Sequence, residues 1–480
     1  MITGQVCLTL TASTLKEDSL LAKKYAPYVD MFELRADYLN EEEYEYISDF
    51  PSLCPKPCIL TIRREEDGGR FVGDEFDRVM LLAQLADFDY VDLEADLEVK
   101  SLLKLADMAE TRIIRSAHYF EPTSADVILR MDEMARSPYE IPKVAFMPEN
   151  AGEMRKLFEL AKTLPPKDRI ICAMGNVGFP SRVLADRLGS FLTFTSPKEL
   201  IGHTGSIGHI DPETLLDVYD FKNVNSDTAL CGVTGWPLNV TSSPEVHRSF
   251  YQAENRNAVM LPVPAENIEE ALTFAEALKF KGLAVTIPHK EKLLNCLDEA
   301  DEAVKEIGAA NTVVFKDGKR IGHNTDWIGF TKALKHFLKS DSIEGKRVAV
   351  LGSGGAAKAI AYALHKEKTN ATIFARNVAK AKAIADKYDF ASAQLNELTS
   401  DFRPDIIVQC TSVGLQGQSA TENDPIPQYE FTGSEALYDI IYKPEITPLM
   451  VRAQKSGCLT ENGFSMLIEQ AREQNRLFFK

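Results

Sequence analysis

The sequence is short of positive charge, of long apolar runs and of closely spaced cysteines. Against 71 aspartate and glutamate residues stand 54 lysine and arginine residues, so the formal net charge is -17, and no basic cluster interrupts it. This balance argues against nucleic acids and anionic membranes as partners and favours small molecules. No apolar run approaches the ~18 residues of a membrane span, and a strand-like stretch begins almost at once, which leaves no room for a targeting peptide. We therefore expect a cytoplasmic protein.

The eight cysteines are scattered, and only Cys54 and Cys58 are close together, in CPKPC. That spacing matches neither a zinc site nor a redox motif, so we expect reduced thiols and no bound metal. At 480 residues, 45% of them hydrophobic, the chain is long enough for two to four domains with their own cores.

Short β-like runs alternate with amphipathic helical patterns in the first part of the chain. This alternation predicts an α/β fold that starts with a (β/α)8 barrel over residues 1–226. The eight runs cover 6–12, 30–37, 58–64, 90–96, 112–119, 142–148, 169–175 and 191–195.

Polar residues recur at every second position of several runs, as in Glu33, Arg35 and Asp37. Because strand side chains alternate between two faces, we expect this polar set to point into the barrel lumen. Active sites of such barrels lie at the carboxyl ends of the strands, so the polar residues indicate a site there.

Lys143 stands among apolar residues in IPKVAFMP. Most lysines in such a setting extend the amine to water, which is the simpler interpretation. In a lumen with cationic neighbours and little water, however, the neutral amine is favoured and can attack a ketone to form a Schiff base. His118 is then the candidate proton shuttle, although a histidine is more often structural.

Arg35, Arg63 and Arg182 lie at strand ends or in the loops that follow, where they can clamp a carboxylate and hydroxyl groups. The residues alone therefore predict a Schiff-base lyase or aldolase that acts on an anionic polyol.

Five motifs of the first part occur together in this order: ELRAD (33–37), TIRREEDGG (61–69), SAHYF (116–120), KVAFMP (143–148) and GFPSR (178–182). With them the first part resembles a known family, the type I 3-dehydroquinate dehydratases, over nearly all of residues 1–226. The resemblance implies that Lys143 forms the Schiff base, that His118 is the general acid/base and that Glu33 orients the histidine. It also implies that Arg35, Arg63 and Arg182 are substrate contacts.

Two positions depart from that family's pattern. Asp67 stands where a glutamate usually precedes the paired glycines, and GSIGH at 205–209 replaces the usual SAPGQ of the loop over the substrate. Ser206 and His209 are the candidate substitutes for the usual serine and glutamine.

A glycine turn, GSGGAA, lies between an apolar strand and a helix near residue 350, and it fits the dinucleotide-binding pattern with Gly352, Gly354 and Ala357. Where NAD-binding sites usually carry an acidic residue after the next strand, this chain has Arg376, Asn377 and Lys380. These residues suit a 2′-phosphate and predict NADP, although a solvated basic strand end is the plainer alternative. The expected cofactor-binding residues are Gly352, Ser353, Gly354, Gly355, Ala356, Arg376, Asn377 and Lys380.

Lys290 in VTIPHK, where Pro288 suggests a helix start, and Asp326 in HNTD are candidates for a proton-transfer pair in a carbonyl/alcohol interconversion. Taken alone, Asp326 would more often be a helix cap.

The second part contains a series of short motifs: TSSP (241–244), VTIPHK (285–290), AANT (309–312), HNTD (323–326), GSGGAA (352–357), CTSVG (410–414), YDIIYKPEITPL (438–449) and MLIEQA (466–471). With them the second part resembles the shikimate dehydrogenases over residues 231–480.

This resemblance implies that Lys290 and Asp326 are catalytic and that Thr241 and Ser243 hold the substrate carboxylate. The further substrate contacts that it implies are Thr286, Asn311, Tyr442 and Gln470. Three positions depart from the pattern, Thr241, Ala284 and the ARN at 375–377.

Together the patterns predict a two-lobed α/β dehydrogenase after the barrel. Its catalytic domain is expected at 231–336 plus 443–480, and its Rossmann-like NADP-binding domain at 337–442. The two resemblances imply consecutive reactions, from 3-dehydroquinate to 3-dehydroshikimate and then, with NADPH, to shikimate. Two alternatives stay open: an NAD-dependent quinate/shikimate dehydrogenase in the second half, and a regulatory protein that binds these ligands without turnover.

Overall fold

The computed structural model describes residues 4–137, 139–201, 210–238, 241–415 and 423–480. The chain divides into two compact units, Met1–Phe280 and Lys281–Lys480. Within the described ranges, none of the helices combines the length and apolar character that crossing a membrane requires.

Eight parallel strands form a barrel in the first unit. They are β1 (Gln5–Leu10), β2 (Met31–Arg35), β3 (Cys58–Thr61), β4 (Tyr90–Glu94), β5 (Arg112–Pro122), β6 (Ile141–Met147), β7 (Ile170–Ala173) and β8 (Leu192–Thr195). Their order is β7-β6-β5-β4-β3-β2-β1-β8. A hydrogen bond of 2.6 Å from the amide of Phe191 to the carbonyl of Arg169 links the two ends, so the barrel is nearly closed. The predicted barrel is confirmed.

Helices and turns connect these strands. The α-helices are α1 (Leu15–Tyr25), α2 (Phe50–Leu53), α3 (Glu75–Leu82), α4 (Lys100–Met108), α5 (Met131–Met134), α6 (Ala151–Ala161), α7 (Gly175–Gly178), α8 (Pro180–Val183) and α9 (Pro212–Asp217). The 3₁₀ helices are Ala36–Tyr38, Glu41–Asp49, Glu65–Asp67, Ala83–Asp87, Ala125–Arg130, Asp186–Leu188, Lys198–Leu200 and Phe221–Asn223.

The alternation along the strands divides the lumen into an apolar and a polar end. A buried cluster that includes Met31, Ile59, Ile114 and Ile141 fills the end near the starts of the strands. Two residues further on, at positions such as Lys143, the lumen-facing side chains become polar, which places the polar set at the carboxyl ends of the strands.

The first unit continues past the barrel with β9 (Ala229–Thr234), α10 (Ser243–Ala253), β10 (Ala258–Pro262) and α11 (Ile268–Ala277). Strands β9 and β10 pair in parallel. Helix α11 packs against α6 of the barrel.

The second unit contains a small mixed group of strands and a parallel sheet. The mixed group is β11 (Gly282–Val285), β12 (Glu299–Ala300), β13 (Thr312–Lys316) and β14 (Lys319–His323), in the order β11-β13-β14-β12. The accompanying helices are the 3₁₀ helix Lys292–Cys296, α12 (Glu302–Ile307) and α13 (Asp326–Leu338). The expected helix start at Pro288 is wrong, because residues 286–291 form turns before that 3₁₀ helix begins.

The parallel sheet has six strands, whose order across the sheet is β17-β16-β15-β18-β19-β20, with the residue ranges that follow. The elements are β15 (Arg347–Leu351), α14 (Gly355–Lys366), β16 (Asn370–Ala375), α15 (Val378–Ala385), β17 (Ala391–Gln394), β18 (Ile406–Gln409), β19 (Ala436–Asp439), α16 (Pro448–Lys455), β20 (Leu459–Asn462) and α17 (Phe464–Phe478), with 3₁₀ helices Asp386–Tyr388, Leu395–Glu397 and Ser400–Phe402. This pattern confirms the Rossmann-like fold.

Helix α17 returns to pack against α13. The two helices meet closely at Gly329, where an added Cβ would lie 2.7 Å from the Cβ of Gln470. The approach therefore needs a glycine on α13, and it places Gln470 beside the start of that helix.

Candidate active sites

Six residues predicted from the barrel sequence line one cavity at the carboxyl ends of the strands. Apolar side chains of Ala145, Met174 and Phe194 and the thiol of Cys172 form part of its wall. The six predicted residues are Glu33, Arg35, Arg63, His118, Lys143 and Arg182.

The amine of Lys143 pairs with a carboxylate, Asp92 of β4, to which the sequence analysis assigned no role. Its Nζ donates to Oδ2 of Asp92 at 2.8 Å, and Oε1 of Glu33 lies 3.8 Å away. The side chains of Lys143 and Asp92 are 6% and 0% exposed. Burial raises the pKa of Asp92, but Arg63 and Lys143 outweigh it and hold that pKa well below its ordinary value. The partners of Lys143 thus include anions, whereas the prediction considered only cationic neighbours.

Arg63 is held by several buried groups around this pair. Its Nη1 donates to Oγ of Ser116 at 2.8 Å and to Glu94 at 3.3 Å, and its Nη2 lies 3.0 Å from Asp92. Oγ of Ser116 also donates to Asp92 at 2.5 Å. The period-two pattern of YVDLEAD could have indicated Asp92, but its contact with Lys143 depends on pairing across β4, β5 and β6.

The other two arginines differ in how far they are already paired. Arg35 makes two hydrogen bonds to Asp37, at 2.9 and 2.8 Å. Arg182 donates through Nη1 to the carbonyl of Phe194 at 3.2 Å, while its buried Nε has no hydrogen-bond partner among the described residues. Arg182 is therefore the arginine with the most donor capacity left for a ligand.

His118 lies in the cavity with a buried Nδ1 that has no hydrogen-bond partner within the described ranges. Burial, the guanidinium of Arg63 and the charge of Lys143 lower the pKa of His118 well below its ordinary value. Glu33 accepts hydrogen bonds from Thr9 and Thr61, both at 2.9 Å. Its expected role in orienting the histidine stays a prediction.

Asp67, one of the departures from the family pattern, lines the same cavity and accepts a hydrogen bond of 2.7 Å from Arg64. Ser206 and His209 lie outside the described residues, so their expected contacts with substrate stay predictions.

The second unit brings Lys290 and Asp326 together. Nζ of Lys290 donates to Oδ2 of Asp326 at 2.5 Å, and the side chains are 16% and 8% exposed. Asp326 is the first residue of α13, but its carboxylate binds side chains, since Nδ2 of Asn311 donates to its other oxygen at 2.8 Å. The alternative of a simple helix cap is not supported.

Neutral polar groups surround this pair. Asn311 also donates to Oε1 of Gln470 at 3.2 Å, and Thr325 donates to the same oxygen at 3.2 Å. The predicted residues Asn311, Gln470, Lys290 and Asp326 thus form one hydrogen-bonded group. Thr286 follows β11 directly and is half-buried.

The remaining predicted substrate contacts, Thr241, Ser243 and Tyr442, are distributed over both units. In the first unit, the amide of Ser243 donates to Oγ1 of Thr241 at 3.2 Å, at the start of α10. In the second unit, Tyr442 lies shortly after β19, with its ring 6.3 Å from that of Phe464.

The glycine turn lies between β15 and α14. Gly352 has φ +119°, and a Cβ there would lie 3.2 Å from the carbonyl of Cys410, so this position needs a glycine. A Cβ on Gly354 would meet nothing within 4 Å, which leaves open space at the amino end of α14, where Gly355 and Ala356 begin the helix. That space fits a pyrophosphate.

Basic groups lie beside this turn. Ser353 and Lys380 line one cavity together with Lys358 and Lys387. Arg376 follows β16 and is exposed, whereas Oδ1 of Asn377 accepts from the amide of Lys380 at 3.0 Å and caps α15. Glu291 lines the same cavity and pairs with Lys358 at 3.0 Å, so Lys380 and the exposed Arg376 are the candidate donors to an additional phosphate. Asn377 has a structural role as the cap of α15.

Three family models match successive parts of the chain. Residues 6–226 match type I 3-dehydroquinase. Residues 233–313 match the shikimate dehydrogenase substrate binding domain, and residues 333–419 match shikimate / quinate 5-dehydrogenase.

Similar proteins include chains with both parts and chains with only the second. A bifunctional 3-dehydroquinate dehydratase/shikimate dehydrogenase of Arabidopsis thaliana is 29% identical over 98% of this chain and 81% of its own length. The shikimate biosynthesis protein AroDE of Chlamydia pneumoniae is 29% identical over 99% of this chain and 95% of its own.

A shikimate dehydrogenase (NADP(+)) of Caldanaerobacter subterraneus subsp. tengcongensis is 38% identical, and the match covers 52% of this chain and 90% of that protein. The chain belongs to the bifunctional family that joins a type I 3-dehydroquinase to a shikimate dehydrogenase.

Proposed function

We propose that the barrel dehydrates 3-dehydroquinate through a Schiff base and that the second part reduces the resulting 3-dehydroshikimate to shikimate with NADPH. The observation that carries the first half is the buried Lys143, which is hydrogen-bonded to Asp92 and lines one cavity with His118 and Arg182. The observation that carries the second is the pairing of Lys290 with Asp326 near Asn311 and Gln470.

In the barrel, the amine of Lys143 attacks the substrate ketone, and loss of water gives an iminium that acidifies the adjacent carbon. His118 is kept neutral by its lowered pKa, so its imidazole can accept the proton from that carbon. The neighbouring hydroxyl then leaves with a proton as water, and hydrolysis of the iminium releases the enone and the free lysine. Asp92 balances the positive charge on the lysine nitrogen through these steps.

The free Nε of Arg182 suits the substrate carboxylate, because guanidinium and carboxylate form strong charge-assisted hydrogen bonds. Arg35 and Arg63, which were predicted as substrate contacts, are assigned to the substrate hydroxyl groups. Each already has carboxylate partners, so we assign them to positioning more than to charge neutralisation.

In the second part, bound NADPH supplies the hydride. Lys290 lies where it can donate a proton to the carbonyl oxygen, and Asp326 holds the amine in position. Asn311 fixes the carboxylate of Asp326, and Gln470 and Thr286 are assigned to substrate hydroxyls. Thr241 and Ser243 are assigned to the substrate carboxylate and Tyr442 to substrate contact by the resemblance alone.

The turn from Gly352 to Gly355 would hold the pyrophosphate, and Arg376 and Lys380 the 2′-phosphate. The absence of an acidic residue after β16 disfavours NAD and therefore the alternative NAD-dependent quinate/shikimate dehydrogenase. The cytoplasmic location and the lack of nucleic-acid partners stay predictions from the sequence.

A stepwise assay tests the proposed function. The purified chain given 3-dehydroquinate alone should produce the ultraviolet absorbance of a conjugated enone, and adding NADPH should then cause NADPH oxidation. Lys143→Ala should abolish both signals, whereas Lys290→Ala should abolish only the second. Ligand binding without either signal would support the regulatory alternative and refute the proposal.

A further inference from the structure

The contacts that hold residues 229–238 and 241–280, which follow the barrel and carry the expected carboxylate-binding residues, against the barrel include two within the first unit. The first is the packing of α6 against α11. The rings of Phe158 and Phe274 meet edge to face at 6.1 Å, and both side chains are almost completely buried. Edge-to-face aromatic pairs stabilise a contact beyond the stabilisation that comes from burying the two rings.

The second contact is an arginine on α10. Nη1 of Arg248 donates to Oδ2 of Asp220 at 2.9 Å, and its Nε donates to the carbonyl of Asp217 at 3.2 Å. The side chains of Arg248 and Asp220 are 17% and 29% exposed, so water screens this pair only in part. Arg248 lies five residues after Ser243, which begins the same helix.

The connection between barrel and segment is also fixed. Nη2 of Arg187 donates to the carbonyl oxygens of Asn225, Ser226 and Thr228, at 3.3, 3.4 and 2.7 Å. These hydrogen bonds fix the chain where it enters β9.

We propose that the barrel positions the substrate-carboxylate residues of the dehydrogenase, with Arg248 as the positioning residue. The inference rests on the proposed function of Thr241 and Ser243. A rigid helix transmits a displacement at Arg248 to its first residue, and small misplacements of binding groups weaken substrate binding strongly. A carboxylate lies away from the reacting carbonyl, so the change should appear in the KM for substrate and much less in kcat.

Kinetics of the full chain test this inference. Arg248→Ala should raise the KM for shikimate roughly three- to tenfold, in keeping with the loss of a partly exposed charge-assisted hydrogen bond. The kcat of shikimate oxidation, the KM for NADP and the dehydratase activity should not change. Arg248→Lys should raise the KM for shikimate less than Arg248→Ala does, because lysine keeps the positive charge. Asp220→Asn, which removes the charge on the barrel side, should match Arg248→Ala, and the double variant should add little to either.

Asparagine suits position 220 because Asp220 has φ +53°, a conformation that asparagine also adopts. The matched control is Arg155→Ala, which removes an exposed arginine of α6 whose partner, Glu159, lies on the same helix. It should leave the KM for shikimate unchanged.

Two results overturn the inference while leaving the proposed function intact: a lower melting temperature of Arg248→Ala with no change in the KM for shikimate, or an equal loss of dehydratase activity. Wild-type protein that does not oxidise shikimate at all would instead refute the proposed function, and the inference with it.

Discussion

Each half of the molecule contains a lysine paired with an aspartate, but the surroundings of the two pairs differ. Lys143 and Asp92 lie inside the barrel, 2.8 Å apart, where Arg63 and Ser116 also bind the carboxylate. Lys290 and Asp326 are 2.5 Å apart and slightly more exposed. Asp326 accepts its second hydrogen bond from the neutral amide of Asn311, whereas Asp92 pairs with the charged Arg63.

Under the proposed function, the same two residue types support different chemistry because their environments differ. In the barrel, Glu94 forms ion pairs with both Arg63 and Arg78, so the pair of Lys143 and Asp92 belongs to a larger charged network. Such a network keeps a charged nitrogen buried through several covalent steps. The neutral surroundings of Lys290 suit a single proton transfer, after which the lysine is recharged from water.

The largest expected effect comes from removing the barrel lysine. Lys143→Ala should reduce the dehydratase kcat by at least roughly a thousandfold, because the proposed Schiff base requires an amine in the barrel cavity and Lys143 is the lysine among the described residues that line it. The dehydrogenase activity should not change. Steady-state assays of both reactions check this, and a barrel that stays active without Lys143 would contradict the difference between the two pairs.

Removing the second lysine should have a comparable but smaller effect. Lys290→Ala should lower the kcat of shikimate oxidation by about 10²–10⁴, the range of general acid–base catalysis. The dehydratase serves as the internal control in the same preparation. If kcat holds and only the KM for shikimate rises, Lys290 is a binding residue and not the proton donor.

The two aspartates should differ in their effect on stability. Asp92→Asn leaves Lys143 and Arg63 buried without an adequate counter-charge, and should lower the free energy of unfolding by roughly 3–5 kcal/mol. Asp326→Asn should cost about 1 kcal/mol, because Lys290 can turn towards water. Urea titrations of the two variants measure this. Equal losses would mean that the networks do not differ as described.

The pH dependence separates the two reactions further. The lowered pKa of His118 predicts that dehydratase activity falls little between pH 7.5 and 6, whereas a histidine of ordinary pKa would lose about fourfold. The free energy of unfolding should also depend on pH. Because the pKa of His118 is lowered in the folded state, the unfolded chain binds the proton more readily, and the free energy of unfolding decreases as the pH falls below about 6.5. An acid limb of kcat/KM near pH 6.5 would show that His118 titrates normally.

An effect smaller than those on kcat is expected for the cofactor. Arg376→Ala should raise the KM for NADPH about tenfold and leave the weaker use of NADH unchanged, because only NADPH carries the 2′-phosphate. Asn377→Asp is the useful contrast, since aspartate still caps α15 but repels the phosphate. Equal changes with both cofactors would refute the role of Arg376.

The sequence was most informative where side chains alternate along a strand. Period two placed Glu33, Arg63 and Lys143 on the lumen side, and the barrel then brought their ends together. The alternation did not reveal the pairing of Lys143 with Asp92. The two residues are 51 positions apart in the sequence, and their contact depends on the register of β4, β5 and β6.

Two short strands of the Rossmann-like sheet, β17 and β20, were also missed. Both are edge strands with half-exposed residues, so they lack the apolar alternation that marks an interior strand. Asn377 shows a related difficulty, because the residue type that suits a cofactor contact also suits a helix cap.

Borohydride trapping tests the central claim, that only one of the two lysine–aspartate pairs works covalently. Wild type, Lys143→Ala and Lys290→Ala are incubated with 3-dehydroquinate and borohydride, and the intact masses and modified peptides are determined. We predict a reduced adduct on Lys143 in wild type and in Lys290→Ala, and none in Lys143→Ala. An equal adduct in Lys143→Ala, or an adduct on Lys290, would contradict the account.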